Sequence, residues 1–258
     1  MNMSTRKAMS ILCCALALAG AGCKKSKEQA TATNYVTIDP ASAGTITGTI
    51  HFSGKPPARV PIDMGQDPVC SLADANLSEQ YMVHDGGLQN VFIYVKDGLG
   101  NKQYAAPSDP VIVDQKGCRY TPHVVGVMAG QPVKFINSDG TMHNVHMTPT
   151  VSTNQSVDIS QPPNGGGETR TLATPELMIP VRCNNHPWME AFINVAANPF
   201  YAVSDADGHF TIKGLPPGTY TIVADHEVLG TQTATVTVAT HQTSSQDFTF
   251  AKGGDAAK

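Results

Sequence analysis

Residues 202–226 read AVSDADGHFTIKGLPPGTYTIVADH. Asp207-Gly208 is a dipeptide that turns a hairpin tightly, and Pro216-Pro217-Gly218 forces the next reversal. Phe210, Ile212, Leu215, Tyr220 and Ile222 alternate with polar or small residues, the pattern of strands with one buried face. Outward from this stretch the same pattern recurs. GTITGTIHF (44–52) and VFIYVK (91–96) read as strands, as do 111–113, 123–128, 133–137, 144–147, 177–182, 191–196 and 231–238. The 258 residues include Gly 23 and Pro 18, with 41% hydrophobic and 15% charged residues. That is too apolar for a disordered chain and favours many short strands over long helices. The expected class is all-β, a sandwich or two, with no helix of any length required. Residues 67–76 show little periodicity, and QPPNGGGE (161–168) reads as a long mobile loop. A net charge of −4 leaves no basic footprint for nucleic acid.

Six cysteines have to be sorted before any chemistry is assigned. Arg6 and Lys7 precede the apolar stretch Ala8–Gly22, the plan of a secretory signal too short for an ordinary membrane span. Gly20, Ala21 and Gly22 lead into Cys23. This resembles the lipobox of bacterial lipoproteins, with Gly20 standing where Leu is usual. The resemblance implies cleavage after 22, loss of Cys13 and Cys14 with the signal, and lipidation of Cys23. Residues 23–43 then read as lipid anchor and flexible tether. The expected localisation is the cell envelope, facing the periplasm. Lys24 after the lipidated cysteine slightly favours the outer membrane. In an exported chain, Cys70 and Cys118 are best read as a disulfide, and pairing of either with Cys183 would destroy the site described next.

CNNHPWM (183–189) sets a thiolate, an imidazole and a thioether at Cys183, His186 and Met189. Soft sulfur donors with imidazole suit copper, and two His plus Cys with a weak axial Met define a blue-copper site. One short loop cannot supply a whole trigonal plane, so a second His comes from elsewhere, and MHNVH (142–146) is the obvious donor. His143 and His146 point to opposite faces of a regular strand, so one of them ligates. Zinc is the competing reading, but it favours paired cysteines, and Met is a poor zinc ligand. A buried thiol with Met189 in the core would leave the spacing to chance.

FINSDGTMHNVHM (135–147) followed by CNNHPWM resembles the cupredoxins, most closely amicyanin, over about residues 109–197. The resemblance implies a Greek-key β-sandwich holding one type 1 copper, with His143, Cys183, His186 and Met189 as ligands. It implies that Asn144 ties the two ligand loops together and that its backbone bonds the thiolate. It also implies that His186 breaks the surface in an apolar docking patch with Pro187 and Trp188, although core packing suits Trp188 equally. His123, His84, His209, His226 and His241 read as surface or strand residues, with no second ligand set evident.

The stretch quoted first is similar to the transthyretin-like, or carboxypeptidase regulatory-like, domain, whose hairpins carry T-D-x-D-G-x-F and L-P-P-G-x-Y. Residues 200–250 are too short for that whole domain. GTITGTIHF and NVFIYVK look like its missing first strands. The expected organisation is therefore a discontinuous sandwich of 44–106 and 198–250, with the cupredoxin at 109–197 inserted and a frayed tail at 251–258. The expected function is one-electron transfer rather than catalysis, because protein ligands fill the strong positions and leave none open for substrate. Expected partners are periplasmic redox proteins such as c-type cytochromes or a dehydrogenase, with membrane attachment through the lipid alone. The alternative is an envelope module binding carbohydrate or a partner protein through the 161–168 loop and the DADG and LPPG turns, with copper structural or stored.

Overall fold

The computed structural model describes residues 34–74 and 76–252. The expected signal segment, Cys23 and the start of the tether lie outside these residues. So does most of the 251–258 tail, although Ala251 still pairs with Ser53 as part of a strand.

The strands before residue 100 are β1 (Gly44–Ser53), β2 (Val83–His84), β3 (Gly87–Leu88) and β4 (Phe92–Asp97). The central set is β5 (Val111–Gln115), β6 (Tyr120–Thr121), β7 (Val124–Met128), β8 (Pro132–Asn137), β9 (His143–Met147), β10 (Val157–Gln161), β11 (Gly166–Thr171), β12 (Glu176–Arg182) and β13 (Glu190–Ala196). The last set is β14 (Tyr201–Val203), β15 (His209–Leu215), β16 (Gly218–His226), β17 (Gly230–Val238), β18 (Thr243–Ser245) and β19 (Phe248–Ala251). Among the described residues a 3-10 turn at Cys70–Leu72 interrupts this all-β pattern, and no helix is long and apolar enough to cross a membrane.

The early and late strands share two sheets. One runs β15-β1-β3-β2 with β18 and β19 also against β1, and the other runs β14-β4-β16-β17. Their facing residues form one core, including Ile46, Ile50, Ile93, Phe210, Tyr220 and Phe250. Each such side chain contributes about 1.5–3 kcal/mol when fully buried. The central strands form two sheets of their own, β10-β9-β12-β13-β7 and β11-β8-β5-β6. Their core includes Val113, Phe135, Val145, Met147, Ile179 and Ile193. Phe92, Val124 and Ala196 make a small third cluster that joins the two sheet pairs. Gly126 is needed there, since a Cβ at this position would lie 2.8 Å from the Tyr201 ring.

QPPNGGGE is not a loop over its whole length. Gln161 still pairs with His143, and the chain is back in a sheet at Gly166, opposite Ile136. Two features hold this tight return. Asn137 Nδ2 donates to the carbonyls of Gln161 (3.2 Å) and Pro162 (2.9 Å). Gly166 takes φ 135°, a backbone that only glycine adopts at low cost. A glycine-rich composition signalled a loop, whereas here the glycines permit the close strand approach.

Asp225 on β16 is 8% exposed. Burial pushes its carboxyl up from the usual range to about 6, against a backbone hydrogen bond from His226 that lowers it. The unfolded chain releases this proton near the model-peptide value, so the folded state loses stability as pH rises from about 4 to 6 and carries the full cost above that. Asp225→Asn is expected to stabilise the protein at pH 7.5 by about 1–2 kcal/mol, less than the whole shift implies because solvent screens part of it. The gain shrinks toward zero near pH 4. Urea unfolding at the two pH values measures the difference, and an equal gain at both would remove Asp225 ionisation as its cause.

Candidate metal centre

The site lies where β9 begins and the turn between β12 and β13 crosses it. Val181 and Arg182 pair with Met147 and His146, which brings the Cys183 loop beside the start of β9. The loop closes on itself, with the Cys183 N–H donating to the Met189 carbonyl (3.3 Å) and the Met189 N–H to the His186 carbonyl (2.9 Å). His143, Cys183 and His186 are all buried, and one donor atom from each lies within 4.8 Å of the others. His143 Nδ1 is 2.9 Å from His186 Nδ1, and Cys183 Sγ is 3.6 Å from His186 Nδ1. Met189 is buried in the same loop and packs in the core beneath.

The outer nitrogens settle the tautomers. His143 Nε2 is 2.8 Å from Asp139 Oδ2, and His186 Nε2 is 3.3 Å from Asp67 Oδ2. A carboxylate only accepts, so each Nε2 carries the proton, and in the neutral rings each Nδ1 is a lone pair. Two nitrogen lone pairs and a sulfur therefore converge in a buried space. Burial lowers the His143 pKa, the hydrogen bond to Asp139 opposes this, and the neighbouring His186 adds to the lowering, the direction that favours the neutral ring ligation requires. Converging lone pairs without a donor between them are mutually unfavourable unless a cation sits there, and the donors fit a soft or borderline metal.

Asn144 donates its backbone N–H to Cys183 Sγ (3.3 Å) and accepts at Oδ1 from the Asn184 N–H (3.3 Å), tying the two loops together. Its side-chain nitrogen donates to Asp158 and to the Ile159 carbonyl. Tyr120 donates to the Asn144 carbonyl. His146 turns away from the cluster and meets Asn184 Oδ1 at 2.9 Å. Cys70 and Cys118 form a disulfide.

The docking surface differs from the expectation drawn from the resemblance. His186 does not break the surface: it is 4% exposed, and Asp67 closes over its outer edge. The depression there is lined by Gln66, Asp67, Thr141, Met142, Asn185 and His186. Pro187 is exposed. Trp188 instead packs partly buried against the core, its ring 5.1 Å from the His186 ring, and donates Nε1–H to the Cys118 carbonyl (3.2 Å). The reason is that Asp67 meets His186 from outside, Met64 and Cys70 pack into the same core as Cys183 and Met189, and Cys70 is bonded to Cys118.

Asp67 and Asp139 were missed by sequence reasoning. Asp139 had a signal, because it sits in the turn directly before a candidate ligand. Asp67 had none, because it lies far from the ligands along the chain. His123 also differs from a surface residue: its Nε2 is 2.7 Å from Glu227 Oε1, and both side chains are buried. Burial lowers its pKa, but Glu227, Glu79 and the Glu190 carbonyl outweigh this and raise it overall.

Residues 184–251 match the carboxypeptidase regulatory-like domain. The matched stretch begins inside the Cys183 loop and takes in β13 of the central sheets, while β14–β19 belong to the sheets shared with β1–β4. Among solved structures, the chain is similar to a methionine-to-alanine mutant of amicyanin in the Cu(I) form, with 20% identity and a TM-score of 0.31 over 39% of this chain and 97% of that one. It is similar to amicyanin from Paracoccus versutus, with 21% identity and a TM-score of 0.31 over 40% of this chain and 97% of that one. A copper-containing nitrite reductase from Thermus scotoductus aligns with 22% identity and a TM-score of 0.28, over 39% of this chain and 25% of that one. No curated protein matches the chain.

Proposed function

We propose that the protein is a type 1 copper protein that carries single electrons in the bacterial cell envelope. The observation that carries this reading is the convergence of His143 Nδ1, His186 Nδ1 and Cys183 Sγ while both outer imidazole nitrogens already donate to carboxylates. A thiolate with two imidazoles and a nearby thioether favours copper over zinc. When bound, copper supplies a Cu(I)/Cu(II) couple. His143, Cys183 and His186 would hold it, and the Met189 thioether in the same loop would be the further donor. Asp139 and Asp67 keep the imidazoles oriented, and the Asn144 N–H stabilises charge on the sulfur. His143, Cys183 and His186 are all buried, and protein donors would fill the strong positions, which supports a carrier over a catalyst.

The sheet pairing supports reading 109–197 as an insertion into a sandwich of 44–106 and 198–250. Periplasmic cytochromes or a dehydrogenase would meet the site at the polar depression around Met142, with the N-terminal lipid holding the protein at the membrane. Copper titration of the apo chain tests the reading. We expect one tightly held equivalent and a reversible one-electron wave. Binding of several weak equivalents, or a colourless complex with no reversible wave, would overturn it.

A further inference from the structure

The two carboxylates that hold the imidazoles are themselves held from the two ends of one disulfide. The Cys70 N–H donates to Asp67 Oδ1 (3.0 Å), and Asp67 Oδ2 accepts from His186 Nε2. The Cys118 N–H donates to Asp139 Oδ2 (2.8 Å), the same oxygen that accepts from His143 Nε2. Neighbouring groups complete each carboxylate. Val69 N–H (2.7 Å) and Thr141 Oγ1 (2.8 Å) bond Asp67, and Gly117 N–H (2.7 Å) bonds Asp139. The Cys118 carbonyl receives the Trp188 indole N–H, and that ring lies against His186. Asp67 comes from the segment between β1 and β2, outside the sandwich that carries the ligands. Its covalent tie to that sandwich is the Cys70–Cys118 bond, which spans 48 residues of sequence.

We propose that Cys70–Cys118 is a positioning element for the metal centre. It fixes the outer hydrogen-bond partner of each histidine and holds Asp67 over His186. Joining the two carboxylates through one covalent bond sets the orientation of both rings together. The inference rests on the reading of His143 and His186 as ligands, but its first consequence is visible without metal. Metal-ligating histidines depend on such outer partners, and losing one typically costs 10–100-fold in affinity.

The test uses the full chain in four forms: the parent, Cys70→Ser/Cys118→Ser, Asp67→Asn, and the three changes combined. Nitrogen NMR of each apo protein reads the Nε2–H signals of both rings. The parent is expected to show both as slowly exchanging, Asp67→Asn to lose that of His186, and the disulfide-free form to lose or broaden both. Copper affinity by chelator competition is expected to fall 10–100-fold in the disulfide-free form and in Asp67→Asn. In the combined form the fall stays close to that of the disulfide-free form and well short of the product, because without the disulfide Asp67 is already released from His186 and its replacement adds little. Unchanged Nε2–H signals in the disulfide-free form, or losses that multiply, would overturn the proposal. A parent that shows both Nε2–H signals yet binds no copper would sink the copper reading and leave the positioning role standing. If the double serine form does not fold, the intact apo chain is reduced by a water-soluble phosphine in sub-denaturing urea. That gives two thiols as phosphine and water become phosphine oxide and protons are taken up by sulfur. The same two NMR signals decide the outcome.

Discussion

Cys183→Ser is expected to abolish the intense visible absorption of the copper-loaded protein. In the proposed copper site that absorption would arise from charge transfer between thiolate and copper, and a hydroxyl oxygen has no equivalent. Binding is expected to weaken by more than the ~10–100-fold typical of losing an outer partner, because a donor itself is removed. The fold should persist. Serine is nearly isosteric with cysteine, the position is buried, and the Asn144 N–H that meets the sulfur can donate to a hydroxyl instead. Parallel thermal unfolding of the apo forms separates loss of ligand from loss of structure. A copper-loaded Cys183→Ser protein that keeps the band would show that the sulfur is not a ligand, and the copper-carrier reading would fall with it.

The second large effect lies outside the candidate metal centre, in the sheet built around β1. Gly48→Ala is expected to destabilise the protein by about 3 kcal/mol or more, the range of severe backbone and overpacking defects. Gly48 sits in the middle of β1, where the partner on one side changes from β18 to β19. Between those strands the Gln246 N–H donates to the Thr47 carbonyl, and Asp247 Oδ1 accepts from the Thr49 N–H. A Cβ on Gly48 would lie 1.8 Å from the Gln246 carbonyl oxygen and 2.7 Å from the Phe210 ring. The nearer obstacle is backbone, so no rotamer relieves it. Urea unfolding measures the loss, and limited proteolysis should release the 243–251 strands first. A change below about 1 kcal/mol would mean that the crossing strand can move aside at little cost.

The glycines show how far sequence reading went. Gly44 and Gly48 were legible as the spacing of an opening strand, but the reason for them was not, because the crossing strand is nearly two hundred residues away. The glycines of 164–168 misled in the other direction, since composition alone does not distinguish a mobile loop from a tight return between strands. The alternating strands and the DADG and LPPG turns were legible because side-chain period and turn chemistry are local properties of the chain.

The same division runs through the candidate metal centre. Cys183, His186 and Met189 announce themselves because a seven-residue loop places them together whatever surrounds it, and His143 follows from needing one donor more. Local sequence by itself therefore determined the strand pattern, the turns and the candidate donors. Only the tertiary structure decided what stands behind those donors. Asp67 reaches His186 from the far side of a 48-residue disulfide loop, and His186 is covered instead of exposed. Hydrogen bonds to a ligand's outer nitrogen leave no period or motif in sequence, because they depend on where distant segments pack and on the covalent bond that holds them there.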